Sequence, residues 1–306
     1  MGQDHDHHGG LGADLPLLLD RRRALLLFGG AGLAVLVGCG SDSASNTSAP
    51  STTGGPAASS TTPTTTGTAT TTDCTTIPEE TAGPYPGDGS NGPDVLTESG
   101  VVRSDITSSF GSASGQATGV PLTIKLSLVD STGGCKALAG AAVYVWQCDQ
   151  AGRYSLYSQG VTGENYLRGV QQADGNGQVT FQSIFPACYS GRWPHIHFEV
   201  YKSLADATGG GTRMATSQIA MPESWCNQVF ATPGYEQSVT NLRQVTLAGD
   251  NVFGDDDGIH QIGTVSGSID GGLTVALTVP VNPSYTSSGA SGGPGGDGAP
   301  PGAPPA

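Results

Sequence analysis

Leu122, Ile124, Leu126 and Leu128 alternate with Thr123, Lys125 and Ser127, the two-residue period of a strand with one buried face. That pattern limits what this chain can fold into, and the sequence after it repeats the theme. Residues 142–146 are a continuous apolar run, as a strand buried on both faces should be. Residues 178–184 form another strand, after a turn signal at Asp174, Gly175, Asn176 and Gly177. Residues 195–201, 214–221, 244–247, 264–269 and 273–281 complete the expected strands. No stretch has the length, period and caps of a long helix, and no internal repeat is visible. The economical expectation is one all-β domain, a sandwich of two sheets.

Much of the 306-residue chain cannot join that core. Arg21, Arg22 and Arg23 precede an apolar run over residues 24–37. This reads as a twin-arginine export signal, too short and Gly-rich for a spanning helix. Leu36, Val37, Gly38 and Cys39 form a lipobox-like end, favouring lipidation at Cys39 over an ordinary signal peptide with an incidental cysteine. Twin-arginine export carries proteins already folded, which suits a metalloenzyme. Residues 40–73 are mostly Ser, Thr, Gly, Pro and Ala, too polar to offset their ordering entropy, so they read as a flexible tether. Residues 284–306 read as a second disordered stretch. The expected folded domain is 74–283.

The sequence holds 26 Asp and Glu against 12 Lys and Arg, a net charge of −14. Removing the four acids and three arginines of residues 1–39 leaves 22 against 9, or −13. Such a surface argues against nucleic acid or an anionic membrane as partner, so membrane attachment is expected only through a lipidated N-terminus. Five cysteines follow Cys39: Cys74, Cys135, Cys148, Cys188 and Cys226. In an exported protein these are disulfide candidates, at most two pairs with one thiol over, in a pairing sequence does not reveal. Without a Cys-x-x-Cys pair, a zinc ribbon is improbable.

Of six histidines, three lie in the signal region, leaving His195, His197 and His260. On a strand His195, His197 and Glu199 share one face, while Ile196, Phe198 and Val200 share the other, the expected core side. Pro194 marks a strand start or an edge. Two imidazoles at i and i+2 can converge on one ion, yet His-x-His by itself is more often an ordinary polar strand face. Glu199 reads as a solvated residue rather than a third ligand, and His260, after Asp255, Asp256, Asp257 and Gly258, as a turn residue.

The wider context is more specific. Residues 185–198 read FPACYSGRWPHIHF, and residues 152–155 read GRYS after the Val-Trp strand. Here the chain resembles the intradiol ring-cleavage dioxygenases, closest to their exported single-domain relatives. The likeness spans roughly residues 76–281, including PEETAGPY at 78–85 and VRSDI at 102–106. It implies a β-sandwich holding non-haem Fe(III) through two tyrosinates and two histidines: Tyr154, Tyr189, His195 and His197. Tyr157, and less so Tyr166, are alternatives to Tyr154. It also implies that Arg192 faces charge developing on the substrate, with Gln218 beside it, and that Tyr189 leaves the iron and takes a substrate proton. The Gln218 correspondence is weakened by the glycine run 209–211, which departs from the family pattern. Phenolate is a hard anionic donor suited to Fe(III), and imidazole serves first-row metals generally.

The implied activity is ring opening of a catechol between its hydroxyl-bearing carbons, using O2, to a muconate-type diacid. Two other readings stand beside it: a non-catalytic cell-surface sandwich that binds ligands, and copper or another metal at the same histidine pair. Neither the particular catechol nor an oligomeric state follows from the sequence.

Overall fold

The computed structural model describes residues 74–288. The signal segment, Cys39, the tether 40–73 and the tail beyond 288 lie outside the described residues. The strands, in chain order, are β1 (Pro121–Asp130), β2 (Lys136–Ala137), β3 (Ala142–Trp146), β4 (Arg168–Gln172), β5 (Gln178–Ile184), β6 (His195–Tyr201), β7 (Arg213–Ala220), β8 (Thr264–Ser268) and β9 (Gly272–Val281). One sheet runs β2-β1-β9-β8, with β5 also pairing β1; the other runs β4-β3-β6-β7. β1 is antiparallel to β5 and parallel to β9. Three short helices, α1 (Leu204–Thr208), α2 (Glu223–Val229) and α3 (Glu236–Leu242), interrupt the β pattern. The expected all-β sandwich is the fold observed.

The two sheets pack face to face through the apolar sides of their strands. Leu122, Ile124, Leu126 and Leu128 of β1 meet Val143 and Val145 of β3, and Ile196, Phe198 and Val200 of β6, in one core. Each fully buried aliphatic side chain there contributes roughly 1.5–3 kcal/mol. A second apolar cluster covers the outer face of the β4-β3-β6-β7 sheet, joining Tyr144 and Trp146 to Val95, Val101, Tyr154 and Tyr189. Both faces of that sheet are therefore covered, which is why β3 and β6 are buried along their whole length.

Two expectations need correction, and a third is decided between its two alternatives. Residues 244–247 are not a strand. Gln244 N–H bonds to Asn241 at the end of α3, and Thr246 caps a 3-10 turn over Leu247–Gly249. Pro194 marks the start of β6 but not an edge, because β6 lies between β3 and β7. The cysteines form one bridge, Cys74–Cys135, while Cys148, Cys188 and Cys226 are buried thiols. Burial pushes the Cys188 thiol up to about 12, so it stays protonated and inert. The bridge ties the first described residue to the β1–β2 turn. At the other end packing continues past residue 283: Ser287 N–H bonds to Arg213 O, and its hydroxyl meets Thr216 at 2.8 Å.

Candidate metal centre

β6 begins at Pro194 and presents His195 and His197 on the loop-covered sheet face. Nδ1 of His195 lies 2.5 Å from the Trp193 carbonyl. A carbonyl only accepts, so Nδ1 carries the proton and Nε2 offers its lone pair outward. Three polar atoms surround that Nε2: Tyr154 Oη at 3.3 Å, Tyr189 Oη at 3.3 Å and His197 Nε2 at 3.0 Å. Trp146, the β3 residue paired with His197, stacks on its ring at 4.8 Å and 6°. All four donor side chains are buried.

Burial pushes His195 down to about 3, with Arg192 adding to the effect, and holds His197 well below the usual histidine range. Both imidazoles are therefore neutral donors. Burial, followed by the neighbouring Tyr189, holds the Tyr154 phenol well above its ordinary value. Without a cation it keeps its proton; a highly charged ion at the cluster inverts that preference. Two neutral imidazoles and two phenols that a cation would ionise suit Fe(III). Among the described residues no three His, Cys, Asp or Glu side chains gather to hold a metal, so any such site here depends on the phenols.

The alternative tyrosines lie elsewhere. Tyr157 Oη accepts from Gly87 N–H at 2.9 Å. Tyr166 Oη donates to Asp149 at 3.0 Å. Glu199 corrects the sequence reading: it is wholly buried, not solvated. Arg213 bridges its carboxylate to Asp88 at 2.6 and 2.7 Å, and Tyr201 Oη donates to it at 2.6 Å. Burial outweighs the Arg213 contact and raises Glu199 to about 7. His260 lies in the turn-rich stretch 251–261, as expected.

Arg192 is almost fully buried. Its Nη2 donates to Gln218 Oε1 at 2.7 Å and its Nε to Asp250 Oδ2 at 3.0 Å. Gln218, opposite His197 on β7, donates in turn to Thr81 O at 3.0 Å. Asp250 is the residue sequence reasoning missed. Its carboxylate also accepts from the backbone N–H groups of Trp193, Val252 and Phe253 at 2.7, 2.9 and 3.2 Å. Burial alone would raise Asp250, but Arg192 and these N–H groups hold it below the usual range. It sits 58 residues from Arg192, behind an ordinary turn, with no motif to mark it.

Glu80 lies beside this pair. Burial lifts it to about 7 and Asp255 and Asp256 add to the rise, against Gln261 and Arg192. A carboxyl raised on folding contributes stability that is full below its unfolded value and lost as pH climbs through about 7. Glu80→Gln should therefore gain melting temperature relative to the parent as pH rises from 5 to 8. An unchanged slope in the variant would refute the assignment.

Two stacked sheets with few helices match the β-sandwich of the intradiol ring-cleavage dioxygenases. Residues 91–197 match the family model described as Dioxygenase. An intradiol ring-cleavage dioxygenase from Tetranychus urticae has a similar structure, with TM-score 0.55 and 28% identity over 70% of this chain and 98% of that one. The crystal structure of a further dioxygenase gives TM-score 0.57 and 28% identity over 71% of this chain and 98% of that one. No curated protein matches the chain. The resemblance read from the sequence is thus found again in the family match and in the fold. That family uses non-haem Fe(III), and a small aromatic substrate with O2 is consistent with it.

Proposed function

We propose that this protein is an exported non-haem Fe(III) dioxygenase. In this reading it opens catechol-type rings between the two hydroxyl-bearing carbons, to muconate-type diacids. The observation that carries it is the convergence of Tyr154 Oη, Tyr189 Oη and His197 Nε2 on His195 Nε2 within 3.3 Å. Phenols beside the histidine pair favour Fe(III) over copper. A binding sandwich without a metal would have no use for such a donor set. The Cys74–Cys135 bridge supports an oxidising compartment, in line with the twin-arginine signal and lipidation at Cys39.

Tyr154, Tyr189, His195 and His197 would hold the iron. When bound, it would supply the charge that keeps the phenols ionised and withdraw electron density from the catecholate, making a ring carbon reactive toward O2. Tyr189 Oη would take one of the catechol's two protons and hydroxide the other, so no further side-chain base is needed. Arg192, fixed by Asp250 and Gln218, sets a guanidinium beside the cluster, where negative charge develops on the ring. Trp146 holds His197 in plane, and Trp193 O fixes the tautomer of His195. The loop cover over this face excludes bulk water.

The test is colour and oxygen uptake. Protein made with export intact should bind one iron per chain, show a broad tyrosinate band in the visible, and consume O2 with catechol, protocatechuate, hydroxyquinol or a larger catechol. Iron-free, colourless protein would sink the proposal. Colour without oxygen uptake on any catechol would favour a binding role instead.

A further inference from the structure

Tyr154 projects from a turn rather than from a strand, so something other than sheet hydrogen bonding must hold it. The turn carries strain: Leu156 has φ +73°, a left-handed conformation that a branched side chain adopts only when its surroundings enforce it. Arg168, in β4, lies behind this turn and is fully buried. It makes no ion pair among the described residues. A buried guanidinium without a carboxylate is costly unless every donor is filled.

Here every donor is filled, and by three separate segments. Nε donates to Ser155 Oγ at 3.1 Å, and Nη2 to Ser155 O at 3.0 Å and Tyr85 O at 2.9 Å. Nη1 donates to Pro86 O at 2.7 Å and Tyr144 Oη at 3.1 Å. Two of these bonds fasten the residue that follows Tyr154. Two fasten the segment whose Tyr85 ring lies 5.1 Å from the Tyr154 ring. Gly87 leaves room for the fork, because a Cβ there would come within 2.8 Å of Nη1.

We infer that Arg168 is a positioning residue: its five-donor fork clamps the 154–156 turn and the Tyr85 segment so that Tyr154 Oη meets the histidines. The link to catalysis rests on the iron reading above; the clamp itself does not. Lysine keeps the charge but has no planar fork, so it should fail as a substitute.

The test uses the full chain carrying Arg168→Lys, Arg168→Met or Ser155→Ala, each also combined with Tyr154→Phe. In metal-free protein, amide hydrogen exchange over residues 154–161 should quicken about tenfold in both Arg168 variants, with β1 and β9 unchanged. In iron-loaded protein the tyrosinate band should shift, and kcat should fall about 10–100-fold. In the Tyr154→Phe background the same substitutions should add less than about twofold, because both act on one group. Unchanged exchange at 154–161, full rescue by lysine, or effects that multiply with Tyr154→Phe would each overturn the inference. If both Arg168 variants fail to fold, Ser155→Ala decides it: a smaller rise in exchange confined to the turn supports the clamp, and no rise rejects it. A wild-type protein without iron would defeat the functional reading while leaving the exchange comparison intact.

Discussion

Under the proposed function, alanine at His197 should severely weaken iron binding, remove the response of the visible band to catechol and abolish oxygen uptake. In the proposed site the imidazole is one of four donors, and its Nε2 lies 3.0 Å from that of His195. Losing it leaves two phenols and one imidazole, a three-donor set with an open position where the imidazole stood. The fold should survive, because the main core lies on the other face of β6, where Ile196, Phe198 and Val200 are untouched. The cost in stability is the lost stacking on Trp146 and a cavity, about 1–3 kcal/mol. Tyr189→Phe removes only a hydroxyl and should weaken the band and abolish its response to catechol. Tyr157→Phe is the control that separates the two candidate tyrosines: its hydroxyl serves Gly87, so the band should stay. Iron analysis, the visible spectrum and a thermal melt of each metal-free variant check all three. Full activity in His197→Ala, or a lost band in Tyr157→Phe with the fold intact, would refute the donor assignment.

Part of this site is legible in the sequence, for a physical reason. The two-residue period of a strand fixes which side chains share a face, so the pairing of His195 with His197, and the opposite placement of Ile196, Phe198 and Val200, follow from order alone. What a face is covered by does not follow. Glu199 has the polarity of a solvated residue, and only the Asp88 segment, Tyr201 and Arg213 packed over it make it buried. Tyr154 and Tyr157 are three residues apart on an irregular turn, where no period decides direction; the turn's conformation, held by Arg168, separates them. β4 was missed because its sequence, Arg-Gly-Val-Gln-Gln, carries no alternation, and its arginine is buried by partners distant in sequence. Residues 244–247 look like a short strand, but α3 ends into them and a local cap at Thr246 captures the backbone. The cysteine pairing depends on distances that no spacing encodes.

The same limit hides Asp250, whose replacement by asparagine carries the second large expectation. Arg192 and Asp250 show 1% and 0% side-chain exposure. Removing one charge from such a pair leaves the other buried and uncompensated, which typically costs about 3–5 kcal/mol. Asparagine matches the shape of aspartate but has one acceptor oxygen, whereas Asp250 uses both: Oδ2 for Arg192 Nε and Trp193 N–H, Oδ1 for Val252 and Phe253 N–H. Two of these four N–H groups must therefore lose their partner. The guanidinium would also lose the contact that fixes its aim, and a displaced charge-stabilising group costs about 10²–10³-fold in kcat. Stability and catalysis can be told apart by adding Arg192→Met to Asp250→Asn. Deleting both charges should recover most of the lost stability, since no ion is then left unpaired, while activity stays as low as in Arg192→Met alone. Urea unfolding of the metal-free proteins measures the first effect and oxygen uptake with catechol the second. Recovery of activity in the double variant would mean that the Arg192 charge is not needed for turnover and that Asp250→Asn acts through the fold alone.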